Sequence, residues 1–186
     1  MGLFVRKKKI KFAPNFKKPD YDNWLDFVEL GGTSKEWERL KKDNHWVFPE
    51  SKVEKFERYL KEVDAVADRY FNKMQEIEKD WSVMYNLKDY TGIRAERFEK
   101  LCLANIADYK EMRRIDRKYG EKTATNIPAF KRLAMLYEKQ GRFEESVKVC
   151  KQAYSLGMDE RSRMVRMIKK AGRTPTQEEQ IIIDKQ

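Results

Sequence analysis

The 186-residue sequence predicts an all-α fold, and three observations carry that expectation. Glycine (8) and proline (5) are scarce, and every glycine except Gly2 falls where a periodic segment begins or ends, which is how helices are punctuated. Apolar residues recur at spacings of three and four, and the middle and C-terminal parts lack the Val- and Ile-rich alternation of strands. Charged residues make up 39% of the chain against an apolar 40%, a balance that suits slender amphipathic helices better than a thick globule.

Residues 1–19 read as a basic extended arm. They hold seven of the chain's 41 basic residues, Arg6, Lys7, Lys8, Lys9, Lys11, Lys17 and Lys18, and none of its 31 acids. Most of the net charge of +10 therefore sits in the arm, while the body is nearly balanced and displays no evident basic stripe. Phe12, Pro14 and Phe16 interrupt the lysines, and Pro19 closes the segment.

Residues 20–50 predict two short aromatic-rich helices. The first carries Tyr21, Trp24 and Phe27 at threefold spacing and stops at Gly31 and Gly32. The second opens on a capping-box pair, Thr33 and Glu36, places Trp37 and Leu40 on one face, and ends in the loop through Asn44, His45 and Pro49.

Residues 51–120 predict a long helical hairpin. Ser51 and Glu54 form the next capping box, and Val53, Phe56, Leu60, Val63, Ala67, Tyr70, Met74, Ile77 and Trp81 make a seam of heptad character. After a less regular stretch around 82–91, a second helix is expected from Ile93 to Tyr119, with Gly120 in the stop position. A short connection between two long helices makes them antiparallel neighbours.

Residues 121–158 predict a closely packed helix pair. Phe130, Leu133, Ala134 and Tyr137 lie on one helix, Gly141 in the turn, and Phe143, Ser146, Cys150 and Ala153 on the next. Small groups at Ala134, Ser146 and Ala153 let the two helices approach, while the larger ones fill the space between. In residue type and spacing this segment resembles one tetratricopeptide repeat, the 34-residue helix-turn-helix unit. Ala134 replaces the glycine of the first helix, Ser146 the commoner alanine, and Met158 the closing proline. The resemblance implies a concave recognition surface lined by the first helix of the pair, with Lys131, Arg132, Met135, Glu138 and Lys139 as its groove residues. The lysines there suit an acidic peptide or a terminal carboxylate.

A lone repeat leaves its flanks uncovered, so the upstream hairpin is expected on one side and residues 159–186 on the other as capping helix and tail. Met164, Val165, Met167 and Ile168 supply the apolar face of that cap, and Arg161, Arg163, Arg166, Lys169 and Lys170 solvate the remainder. Thr174, Pro175 and Gln177 then read as a fresh helix start leading into Ile181, Ile182 and Ile183.

Few residues are spaced as chemistry would require. His45 is the one histidine, with no serine or cysteine close by in sequence to act as its nucleophile. Cys102 and Cys150 are far apart and in no metal-ligand spacing, which points to a reducing, cytoplasmic setting and to no disulfide or zinc framework. No phosphate loop, calcium loop or paired-carboxylate pattern occurs, no cofactor is implied, and no stretch approaches the length of a membrane span. The expectation is a non-catalytic scaffold that binds a protein or peptide partner. Nucleic-acid binding through Arg6, Lys7, Lys8, Lys9 and Lys11 is the alternative, and self-association through the seam a third.

Overall fold

The computed structural model describes residues 10–125 and 127–185, and these form eight helices with no strand among the described residues. The all-α class is therefore observed. The chain divides into two compact units, Met1–Arg58 and Tyr59–Gln186, with the division falling inside the third helix.

The first unit contains α1 (Asp20–Glu29), α2 (Ser34–Asn44) and the opening turns of α3 (Lys52–Leu87). The capping boxes at Thr33 and Ser51 both form, each side chain accepting from the backbone three residues on while the glutamate accepts from the cap. His45 ends α2 in the left-handed region at φ 55°, its exposed ring 2.8 Å from the Lys42 carbonyl, so it serves as a helix stop.

Of the three aromatic residues at threefold spacing on α1, Phe27 is buried beside Asn23, while Tyr21 is exposed. The part of the N-terminal arm from Ile10 onward lies against α1 and α2. Buried Asn23 donates to the carbonyls of Asn15, Lys18 and Pro19 at 3.0–3.1 Å and accepts from the Asn15 N–H at 2.6 Å. Phe12 packs edge-on against Phe27 (5.4 Å) and Trp37 (5.6 Å), and Phe16 stacks on Phe48 (5.5 Å). Phe12 thus joins an aromatic cluster with Phe27, Trp37 and Trp46, while Phe16 covers the edge of that cluster and stays half exposed. Arg6, Lys7, Lys8 and Lys9 lie outside the described residues.

The second unit holds the rest of α3, then α4 (Gly92–Tyr119), α5 (Pro128–Lys139), α6 (Phe143–Ser155), α7 (Arg161–Lys170) and α8 (Gln177–Asp184). The stretch expected to be irregular from Ser82 is helical to Leu87, because fully buried Met84 continues the spacing of Ile77 and Trp81; Lys88 at φ 53° then ends it. α3 and α4 run antiparallel, with partners descending along α4 as positions rise along α3. Tyr59 donates to Asp116 (2.9 Å), Arg69 pairs with Asp108 and Glu111, Asn105 reaches the Tyr70 carbonyl (2.7 Å), and Arg97 pairs with Glu76.

α5 and α6 approach closely. Ala134, Ser146 and Ala153 are completely buried, and the Ser146 hydroxyl donates to the Ala134 carbonyl at 2.9 Å. Gly141 makes the reversal at φ 73°, a conformation that costs a Cβ-bearing residue. Helices next to each other in sequence pack on each other from α4 to α8, and ion pairs join alternate ones: α3 to α5, α5 to α7 and α6 to α8. This is the side-by-side order of a helical array. The last helix starts later than expected, on a Thr176–Glu179 capping box, with Ile182 buried and Ile181 exposed.

Candidate functional site

The groove residues read from the sequence all lie on α5, whose start is set by Pro128 in the first turn. Their environments differ. Lys131 and Lys139 are exposed and Met135 is half-buried. The ammonium of Lys139 stands 5.5 Å from the centre of the Tyr90 ring.

Arg132 is turned to α3. Its Nε donates to Glu78 Oε1 at 2.9 Å and its Nη2 to Oε2 at 2.5 Å, a two-pronged bond, while the guanidinium lies 5.4 Å from the Trp81 ring centre. These donors hold the Glu78 carboxyl below its usual range despite partial burial.

Glu138 is turned to α7. It accepts from Arg163 (3.2 Å), Arg166 (2.9 Å) and Lys170 (2.8 Å), and Arg163 is shared with Glu160 at 3.0 Å. Burial alone would raise the Glu138 pKa, yet the bonds from Arg166 and Lys170 outweigh it and bring the value down to about 2.

At the far end of α5, the Tyr137 hydroxyl donates to Glu99 on α4 at 2.7 Å, and Arg142 pairs with the same carboxylate at 2.8 Å while lying 4.2 Å from the Tyr137 ring centre. Burial raises the Glu99 pKa, but these two donors lower it by more, for a net decrease.

Of the five groove residues, then, Arg132 and Glu138 clamp α5 to its neighbours, while Lys131, Met135 and Lys139 present atoms outward. Arg163, Arg166 and Lys170, expected from the sequence only to solvate α7, thus hold a carboxylate of α5. Their spacing of three and four marks one helical face, but nothing local signals the carboxylate it meets. Half-exposed Arg166 and Lys170 extend the positive surface from α5 onto α7.

Neither thiol sits where it could react. Cys102 and Cys150 are buried, with the pKa of Cys150 pushed up to about 12 by desolvation and that of Cys102 raised further by the same cause. In the first unit a cleft of about 690 Å³ is lined by residues that include Tyr21, Asp22, Ser51, Val53, Glu54 and Glu57. No helix among the described residues is long and apolar enough to cross a membrane. In comparisons with known proteins, the chain matches no family model, no curated sequence and no solved structure.

Proposed function

We propose that the second unit is a non-catalytic interaction module, built in the manner of a tetratricopeptide repeat flanked by two further helix pairs, that takes an acidic segment of a partner protein across α5 and α7. The observation that carries this reading is the charge imbalance around Glu138. Arg166 and Lys170, each about half exposed, share one carboxylate, with exposed Lys131 and Lys139 on the neighbouring helix. An incoming carboxylate therefore finds donors already desolvated in part and held in place, which lowers the ordering cost of a charge-assisted bond. Met135 offers a soft apolar contact between the cations.

The non-catalytic reading is supported by the buried thiols and by the use of His45 as a helix stop. The test is a titration of the whole chain with a fluorescent acidic peptide ending in a free carboxylate and with its amidated glutamine analogue. We expect the acidic peptide alone to bind, and Lys131→Glu with Lys139→Glu to weaken it at least tenfold, about 1.4 kcal/mol. Equal binding by the altered and unaltered proteins would end this reading.

A further inference from the structure

α4 sorts its charges by face. Its acids turn mainly to neighbouring helices: Glu99 to Tyr137 and Arg142, Asp108 to Lys73 and Arg69, Glu111 to Arg69, and Asp116 to Tyr59. Lys100, Lys110, Arg114 and Arg117 are left on the outside, exposed, with no ion pair or side-chain hydrogen bond among the described residues, and half-buried Arg113 borders them. At 3.6 residues per turn the four fall within an arc of about 100° and extend about 25 Å along the axis. Leu103 and Ala107 are the exposed residues between them, and Glu96 marks the N-terminal end of the same face.

We infer that this stripe binds the phosphate backbone of a nucleic-acid duplex. Four unpaired cations along one face of a 28-residue helix complement a polyanion that presents one charge per about 1.7 Å of its axis. A protein partner fits less well, since protein interfaces centre on an apolar, charge-depleted core, and this face offers only Leu103 and Ala107. A single strand fits less well too, because no aromatic ring stands on the stripe for bases to stack on. The contacts are to phosphates, so the binding is indifferent to base sequence. This surface is separate from the α5 and α7 face, and it stands or falls independently of the peptide reading.

The experiment is fluorescence anisotropy of the whole chain with labelled DNA and RNA duplexes of about 20 base pairs, a single strand of the same length, and polyglutamate, at about 50 and about 200 mM salt. We expect a duplex to bind at the lower salt and to weaken about a hundredfold at the higher, as release of counterions from about four phosphates requires. Lys110→Gln/Arg114→Gln/Arg117→Gln should lose at least tenfold and flatten the salt slope, with an unchanged circular-dichroism spectrum. Lys131→Glu/Lys139→Glu should leave duplex affinity within twofold. The DNA and RNA arms tell which duplex is preferred, and either supports the assignment. It is overturned if the triple variant binds a duplex as the unaltered protein does, as it would were the terminal arm responsible. It is equally overturned if polyglutamate or the single strand is bound at the lower salt and neither duplex is.

Discussion

Arg132 and Glu78 meet through two parallel bonds of 2.9 and 2.5 Å, with Trp81 beneath the guanidinium, and so join α5 to α3 across 54 residues of sequence. The pair is partly exposed, so solvent screens it and its contribution is modest.

Replacing Arg132 by alanine removes the pair and the packing of its stem on Trp81. The expected cost is about 1 kcal/mol, measured by urea unfolding followed through tryptophan fluorescence. Arg132→Lys should restore little, because a point charge cannot make the two-pronged bond. Full recovery by lysine would show that charge alone sets the contact.

Glu138 is ionised in the folded protein down to about pH 2, against about 4.3 when unfolded. A carboxylate whose folded pKa is depressed contributes stability above its unfolded value and loses it as pH falls through the folded one. We expect about 3 kcal/mol to disappear between about pH 4.5 and 2, with Glu179, also held near 2 by Arg173, adding to the same window. Glu138→Gln should lower stability at pH 7 and flatten that acid limb. An unaltered slope would mean that the carboxylate titrates alike in both states.

Ser146 tests the closeness of α5 and α6. Ser146→Ala forfeits the bond to the Ala134 carbonyl and should cost about 1 kcal/mol, while Ser146→Val adds volume where there is none and should cost about 2 to 3. Thermal melts yielding the opposite order would mean that the crossing has room to spare.

Gly32 tests the first unit. A Cβ there would stand 2.1 Å from the Phe27 ring, which Phe12 and Trp37 hold in place. Gly32→Ala should therefore disturb the aromatic core, visible as a shift in tryptophan emission and a melting temperature several degrees lower. An unchanged spectrum would show that Phe27 can move aside freely.

Most of the helices were legible along the chain. The capping boxes at Thr33 and Ser51, the stop at Gly120, and the small residues at Ala134 and Ser146 act through neighbours within about four positions, so spacing alone exposes them. Errors came where a residue answers to something distant. Phe12 and Phe16 read only as part of an extended arm because the rings of Phe27, Trp37 and Phe48 that receive them come later in the chain. The helix past Ser82 was missed because exposed Val83, Tyr85 and Leu87 blur the period that buried Met84 keeps.

The sequence by itself determined that the chain is helical, where most helices begin and end, and that a helix pair packs tightly between Pro128 and Ser155. The tertiary structure alone decided which charges remain available. Hydrogen bonding within a helix is local, whereas a charge chooses its partner across the stack. Arg132 and Glu138 found theirs on α3 and α7, and Lys110, Arg114 and Arg117, on the outer face of α4, found none among the described residues.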